Sequence, residues 1–169
     1  DDKKLATSSI FTTCIETIYG ITFFVMAPEH KLIDELKDSI TNYEEVKEYQ
    51  KQTTYRCELD RISEQKEKTG CVLEGIYAIN PINGNKVQIF ISDFVLANYG
   101  TGIVMAVPTH DQRDYEFAKK FSIPMIQVID GDVSTKAYEK SDYIKNNNTM
   151  MNSEEFNGMP VKEAKEKII

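Results

Sequence analysis

A chain of 169 residues is the size of one domain and is long enough to bury a hydrophobic core. Its hydrophobic fraction of 41% and charged fraction of 28% are ordinary for a globular protein, and no apolar run approaches the roughly 20 residues that span a bilayer. The net charge of −7 argues against a general nucleic-acid binder, because proteins that grip the phosphate backbone usually present a basic face.

The cysteines and histidines indicate neither disulfide bonds nor a metal site. Cys14, Cys57 and Cys71 are odd in number and widely spaced, and they form no C-x-x-C pair. His30 and His110 are 80 positions apart, which disfavours a histidine-rich metal site. This usage fits a reducing cytosol, so we expect a cytoplasmic protein that binds no metal.

Both ends of the chain look cut from a longer protein. The charged start, D-D-K-K, has neither an initiator methionine nor the apolar core of a signal peptide, and the chain stops abruptly at Ile169. We therefore expect residues 1–169 to be a single domain of a larger protein.

In chain order, the N-terminal part predicts two strands followed by two helices. β-Branched and aromatic residues indicate strands over 10–13 and 21–27, around a turn near Gly20. Apolar side chains on helical spacing predict a helix over 29–40. The polar residues 43–66 predict a solvated helix followed by a looser segment.

The middle of the chain predicts a hairpin and one more strand. Residues 72–80 have strand character and end in a turn containing Asn83-Gly84, a pair that tolerates positive φ and favours hairpins. Residues 86–91 alternate between apolar and polar for most of their length, as in a half-buried strand, and residues 103–107 are a short apolar strand.

The C-terminal part of the sequence predicts a helix, a strand, a mobile loop and a second helix, in that order. The helices run from Asp111 to Phe121 and from Pro160 onwards; the strand covers 125–129 and the polar loop covers 130–150. Many strands with hairpin turns and few helices predict an α+β fold with a β-rich, partly closed barrel core and peripheral helices.

Asp114 is the carboxylate that this pattern explains least. Asp111 is a natural N-cap, but Asp114 shares a helix face with the apolar Phe117, Ala118 and Phe121, and that face turns inward. An inward carboxylate must be hydrogen-bonded, paired or neutralised. Two interpretations stay open: a helix-terminus carboxylate bonded to local N–H groups, or a carboxylate that awaits a cation from a ligand, such as an α-ammonium group.

Thr12, Thr13 and Thr17 form a second cluster of interest, around Cys14. Threonines at a strand end are usually strand formers, although a hydroxyl cluster could also hold a water or a substrate carbonyl. No Ser-His-Asp or Cys-His arrangement is legible, and Cys14 lacks an adjacent base.

Both stretches carry a resemblance to a known family. Residues 99–118 resemble the Y-G-T-G-A-V-M-A-V-P-x-H-D-x-R-D-x-x-F-A signature of leucyl-tRNA synthetases, and residues 11–20 resemble the segment that contains their T-T-R-P-D-T motif. Residues 68–70, 78–84 and 155–158 match the family's K-T-G, A-I-N-P-x-N-G and E-F-N-G. The resemblance covers nearly the whole chain.

The resemblance implies an editing domain inserted in a class I synthetase. In that family the second Asp of H-D-x-R-D holds the substrate's α-ammonium group, a role that falls to Asp114. Thr12 and Thr13 then line the pocket and help to bind substrate and water, and Thr17 sterically excludes leucine. Further substrate-contacting positions implied by the match are Tyr99, Met105, Val107, His110, Asp111 and Arg113.

The implied activity is hydrolysis of the aminoacyl ester of mischarged tRNA(Leu), as part of a leucine–tRNA ligase. The partners are the 3′-terminal adenosine of tRNA(Leu) carrying a noncognate amino acid and the remainder of the synthetase; no membrane is involved and the protein is expected to be a monomer. No cofactor is implied for this domain. ATP and Mg²⁺ belong to the parent enzyme's synthetic site, whose H-I-G-H and K-M-S-K-S motifs are absent from this sequence.

One departure from the family lies in the threonine motif, where Cys14, Ile15 and Glu16 stand in place of Arg, Pro and Asp. Losing the Arg removes a rigid donor of several hydrogen bonds, and losing the Pro frees the turn. Two alternatives therefore remain: a degenerate, non-catalytic insertion that only binds or orients the tRNA acceptor end, and a free-standing editing protein.

Overall fold

The computed structural model describes residues 3–63 and 66–169. Asp1 and Asp2, the first half of the charged N-terminal sequence, lie outside these ranges, as do residues 64 and 65 of the looser segment predicted after the second helix. Within the described ranges no helix is both long and apolar enough to cross a membrane.

After a first strand, the described chain forms a group of helices, then four consecutive strands, and then a second group of helices. The strands are β1 (Phe23–Met26), β2 (Cys71–Val72), β3 (Ala78–Ile79), β4 (Lys86–Ile91) and β5 (Ile103–Ala106). The α-helices are α1 (Lys31–Glu35), α2 (Tyr43–Thr54), α3 (Glu58–Ile62), α4 (Gln112–Lys120), α5 (Lys140–Lys145) and α6 (Val161–Ile168). Short 3₁₀ helices occupy Ile15–Gly20, Lys37–Ser39 and Glu154–Phe156.

The strands form one sheet in the order β2-β4-β1-β5, with β3 also paired to β4. β2 and β4 are antiparallel, with Cys71 opposite Ile91. The α+β class is confirmed, but the expected barrel is corrected: among the described residues the sheet path ends at β2 and β5 without closing. A barrel requires the two end strands to bond to each other, and β2 is only two residues long.

Two compact units divide the chain. One contains the N-terminal segment up to Phe11 with Phe24–Ala78 and Lys86–Val104, and the other contains Thr12–Phe23, Ile79–Asn85 and Met105–Ile169. The core of the first includes Val25, Ile33, Val46, Leu73 and Ile91. The core of the second is a cluster of Val128, Ile129, Tyr143, Met150, Phe156, Val161 and Ala164. A single domain over residues 1–169 stays a prediction.

In the N-terminal part, β1 confirms the strand predicted over 21–27, but the strand predicted over 10–13 is wrong. Residues 10–13 are irregular and lead into the 3₁₀ helix Ile15–Gly20. The reason is local, because threonine hydroxyls bond the backbone of Cys14 and compete with sheet pairing. The helix predicted over 29–40 is broken into α1 and the 3₁₀ helix Lys37–Ser39, since Leu36 leaves helical geometry.

In the middle of the chain, α2, β4 and β5 are confirmed, and α3 adds a short helix within the looser segment. The strand predicted over 72–80 is split into β2 and β3 by Gly75, whose φ is +88°. The predicted hairpin turn is present: Gly84 has φ +71°, and the Asn80 N–H donates to the Asn85 carbonyl over 2.8 Å.

In the C-terminal part, α4 and α6 are confirmed, and the strand predicted over 125–129 is wrong. The N–H groups of Val128 and Ile129 donate to the ring of His110 instead of to a strand, which leaves only an isolated bridge between Ile129 and Met150. The loop predicted over 130–150 contains α5, whose Tyr143 is almost fully buried.

Replacing Gly75 with alanine is expected to destabilise the chain more than replacing Gly84. Both glycines have positive φ, which costs an L-residue about 1–2 kcal/mol. A Cβ at Gly75 would also lie 2.6 Å from the Ser39 carbonyl oxygen and 2.9 Å from Thr41 Cγ2, whereas a Cβ at Gly84 meets nothing within 4 Å. Urea unfolding of the two variants measures the difference; equal losses in the free energy of unfolding would contradict it.

Candidate functional site

The first turn of α4 is fixed by its N-cap. Asp111 Oδ1 accepts hydrogen bonds from the N–H groups of Arg113, over 2.9 Å, and Asp114, over 3.1 Å. This cap satisfies two N–H groups that have no partner inside the helix. It confirms the N-cap predicted for Asp111. Because the cap fixes where α4 begins, it also fixes the direction in which the Asp114 side chain points from the helix.

Asp114 is buried, with only 6% of its surface exposed. Its Oδ2 accepts a 2.9 Å hydrogen bond from the Val107 N–H, just beyond β5, while Oδ1 accepts none from the described residues. The local-bond interpretation therefore accounts for one oxygen of this carboxylate and leaves the other available to a ligand.

The environment of Asp114 disfavours its ionised form. Burial raises the pKa of the carboxyl well above its usual range, and the negative charge of Asp111 raises it further. The Val107 N–H and the Arg113 guanidinium act in the opposite direction without cancelling the effect. A cation placed at Oδ1 would offset the cost of burying the ionised carboxylate.

Residues 12–17, called here the threonine segment, are organised around the peptide groups of Cys14. The Cys14 N–H donates to Thr12 Oγ1 over 3.0 Å, and the Cys14 carbonyl accepts from Thr17 Oγ1 over 2.8 Å and from the Thr17 N–H over 3.0 Å. Thr12 accepts here and donates to no described residue, so its hydroxyl proton is available. The Thr17 hydroxyl proton is used within the segment, and only 1% of this residue is exposed.

Two contacts hold the segment after the threonines beside the start of α4. The Thr22 N–H donates to the Ala106 carbonyl over 3.2 Å, and the rings of Phe23 and Phe117 stack with centroids 5.4 Å apart. No hydrogen bond joins the threonines directly to Asp114 within the described part of the chain. These two contacts join the residues that follow the threonines to the end of β5 and to α4.

His110 is a structural histidine in this arrangement. Its Nδ1 donates to the Tyr138 carbonyl over 3.0 Å, and its Nε2 accepts from the N–H groups of Val128 and Ile129 over 3.1 and 3.3 Å. This pattern requires the neutral ring, and burial lowers the pKa of His110 accordingly. With both nitrogens occupied by backbone, His110 shapes the region after α4.

The remaining predicted site residues differ in how exposed they are and in which of the two compact units they belong to. Met105 and Val107 are buried at the end of β5, and Arg113 is exposed, with Nη2 3.8 Å from Asp111 Oδ2. Tyr99 is 61% exposed and belongs to the first unit, whereas the other predicted site residues belong to the second. Among the described residues, no three His, Cys, Asp or Glu side chains are grouped as metal ligands would be.

Sequence reasoning missed the side chains that hold the threonine segment from a distance. Glu16 is fully buried, and it contacts Tyr143 of α5 and Lys165 of α6. Glu16 itself had a signal, because it is a carboxylate at a position where the resembled motif also has one. Nothing in the local sequence identifies Tyr143 or Lys165, which lie more than a hundred positions away.

Comparisons with known proteins agree on one family. The family model described as leucyl-tRNA synthetase, editing domain, matches residues 2–169. Leucine–tRNA ligase of Alkaliphilus oremlandii is 44% identical over 161 residues, which is 95% of this chain and 20% of that protein. The enzyme of Clostridium beijerinckii is 48% identical over 162 residues, which is 95% of this chain and 19% of that protein. The chain thus spans about a fifth of the length of these curated relatives.

A solved structure extends the similarity to three dimensions. The LeuRS of Agrobacterium radiobacter K84, in a ternary complex with tRNA and LeuAMS, matches with a TM-score of 0.59 and 32% identity. The match covers 70% of this chain and 14% of that chain.

The buried carboxyl of Asp114 predicts a pH-dependent cost in stability. Its raised pKa means that, above the ordinary pKa of an aspartate, the folded chain retains a proton that the unfolded chain has lost. Stability therefore falls as pH rises towards the folded pKa, by about 1.4 kcal/mol for each unit of elevation. Asp114→Asn keeps an acceptor for the Val107 N–H and removes this cost.

Urea unfolding of both proteins between pH 4 and pH 8 tests this. The free energy of unfolding of Asp114→Asn should rise relative to that of the unsubstituted chain as pH increases. Parallel pH profiles would show that Asp114 carries no such cost.

Proposed function

Because the chain belongs to the family of leucyl-tRNA synthetase editing domains, we propose that it hydrolyses the ester linking a noncognate amino acid to the 3′-terminal adenosine of tRNA(Leu). The observation that carries this proposal is the geometry of Asp114, a buried carboxylate with one oxygen held by the Val107 N–H and the other available. Such a carboxylate suits the α-ammonium group, which every aminoacyl-tRNA has and uncharged tRNA lacks.

The threonines supply the other contacts. The free hydroxyl proton of Thr12 can donate to the ester carbonyl or to the attacking water, and Thr13 is exposed beside it. An aminoacyl ester is already activated, so positioning a water next to its carbonyl can supply much of the rate without a strong nucleophile. Asp114, Thr12 and Thr13 are accordingly proposed as the residues that contact the reacting groups.

Selectivity against leucine is assigned to Thr17. Its hydroxyl is bonded to the Cys14 carbonyl, which fixes the side-chain rotamer and hence the direction of the methyl group. A synthetic site distinguishes side chains by only about 1–3 kcal/mol per methylene, and a second site that rejects leucine multiplies that discrimination.

The remaining site residues are proposed to hold the nucleotide and the pocket wall. Met105 and Val107 are assigned to the wall of the amino-acid pocket, and the exposed Arg113 to a tRNA phosphate. The assignment of Tyr99 to the adenosine rests on the resemblance alone. Asp111 and His110 are assigned to positioning, because their polar atoms are bonded to backbone groups. The reaction requires no metal or cofactor in this domain.

A non-catalytic role in holding the tRNA acceptor end is the second candidate, and one observation favours it. Cys14, Ile15 and Glu16 replace the Arg-Pro-Asp of the resembled motif, within the segment that carries the threonines. Retention of Thr12 and Thr17, both engaged with Cys14, favours the hydrolytic role.

Asp114→Asn is expected to abolish clearance of norvalyl- or isoleucyl-tRNA(Leu) by the full-length synthetase. Removing one partner of a buried charge pair costs about 2–5 kcal/mol, so kcat/KM should fall by a factor of about thirty or more. Glu116→Gln, which neutralises an exposed carboxylate on the same helix, serves as the matched control. Equal background deacylation by the unsubstituted enzyme and Asp114→Asn, with tRNA binding retained, would support the non-catalytic role.

Thr17→Ser and Thr17→Val separate the methyl group from the hydroxyl. Serine keeps the bond to the Cys14 carbonyl and removes the methyl, so hydrolysis of correctly charged Leu-tRNA(Leu) should rise about tenfold or more, as should that of Thr17→Ala. Valine keeps the bulk and loses the bond, so leucine should stay excluded. A serine variant that spares Leu-tRNA(Leu) as well as the unsubstituted enzyme does would refute this role of Thr17.

A further inference from the structure

We infer that Lys165, acting through Glu16 and the Thr13 carbonyl, positions the threonine segment for the editing reaction. This inference rests on the proposed function, because the residues being positioned are Thr12 and Thr17. Lys165 lies on α6, far along the chain from that segment, and it is not part of any motif noted in the sequence.

Glu16 is a buried charge that needs a partner. None of its surface is exposed, and its Oε1 accepts a 3.0 Å hydrogen bond from the Tyr143 hydroxyl. Its Oε2 has no hydrogen-bond partner, but Lys165 Nζ lies 3.3 Å away, at ion-pair distance and outside hydrogen-bond geometry. Lys165 is thus the counter-ion that makes this buried carboxylate tolerable.

The same ammonium group also holds the backbone of the segment. Lys165 Nζ donates to the Thr13 carbonyl over 2.9 Å, while Lys140 Nζ reaches that oxygen only over 3.4 Å. Thr13 and Glu16 flank Cys14, whose N–H is bonded to Thr12 and whose carbonyl is bonded to Thr17. One cation therefore anchors both sides of the peptide groups that orient the threonines.

The part of α6 that carries Lys165 is held in place by packing. The preceding residue, Ala164, is fully buried, and Val161 is nearly so, both within the hydrophobic cluster of the second unit. The Lys165 side chain is 32% exposed, so the protein covers most of its surface. A lysine whose stem packs against the protein has fewer positions open to its ammonium group than a free surface lysine has.

This anchor also supplies a cation where the resembled motif has lost one. The motif carries an Arg at the position of Cys14, and a cysteine donates no charged hydrogen bond. In this chain the nearest positive charge on the segment comes from Lys165 of α6, with Lys140 of α5 at a longer distance. The substitution of Cys14 for Arg is therefore compatible with an ordered threonine segment.

The test compares Lys165→Met with Lys167→Met in the full-length synthetase. Lys167 lies on the same helix, is exposed and, among the described residues, pairs with Glu163, so its variant should leave deacylation unchanged. Lys165→Met should lower kcat for norvalyl-tRNA(Leu) by about ten- to a hundredfold, with KM within about twofold, because a misplaced segment affects orientation more than binding. Lys165→Arg should recover most of kcat.

A stability control and a second readout remove the remaining ambiguities. Val161→Ala, which weakens the packing of α6, should lower the melting temperature without moving kcat at temperatures well below it. Hydrogen exchange at the N–H groups of Cys14 and Thr17 should accelerate in Lys165→Met and stay unchanged in Lys167→Met.

The outcomes distinguish this inference from the proposed function. An unsubstituted enzyme that fails to deacylate would refute the proposed function, while faster exchange in Lys165→Met would still establish the anchor. Unchanged exchange and an unchanged kcat in Lys165→Met would overturn the inference and leave the editing assignment intact. A kcat loss that Val161→Ala reproduces would also overturn it, because the effect would then follow from stability alone.

Discussion

The hydrogen bond from the Val107 N–H to Asp114 Oδ2 is the constraint on which the candidate site depends. It ties the end of β5 to the first turn of α4, and it holds a carboxylate in surroundings that disfavour its charge. The Asp111 cap makes this possible, because it fixes where α4 begins. This arrangement suits the proposed recognition of an ammonium group, since a buried carboxylate gains most from a nearby cation.

The threonine segment is held by a different kind of interaction. It belongs to no strand, and its shape comes from side-chain to backbone bonds about Cys14 and from the distant contacts of Glu16. Hydroxyl groups that bond the nearby backbone disfavour sheet pairing and leave a short irregular turn. In this turn the Thr12 hydroxyl accepts a hydrogen bond and the Thr17 hydroxyl donates one, both to the peptide groups of Cys14, although the two threonines lie only five positions apart in the chain.

Buried polar groups recur through the second unit, and His110, Glu16 and Tyr143 use theirs to join distant parts of the chain. Both ring nitrogens of His110 are hydrogen-bonded to backbone groups, and the bonds from the N–H groups of residues 128 and 129 keep these residues out of the sheet. Glu16 and Tyr143 join the turn before β1 to α5. Such groups stabilise the fold only when all partners are in place, so they specify one arrangement more sharply than apolar packing would.

The sequence by itself determined the α+β class, the family, the Asn83-Gly84 turn, α4 with its Asp111 cap and the inward direction of Asp114. These features depend on short-range periodicity, on capping chemistry or on motif letters, all of which are local. Only the tertiary structure decided that residues 10–13 and 125–129 are not strands, that the sheet stays open and that Lys165 reaches Glu16. The physical reason is that each of these depends on a partner distant in sequence: a ring nitrogen, a missing strand neighbour or a helix more than a hundred positions away.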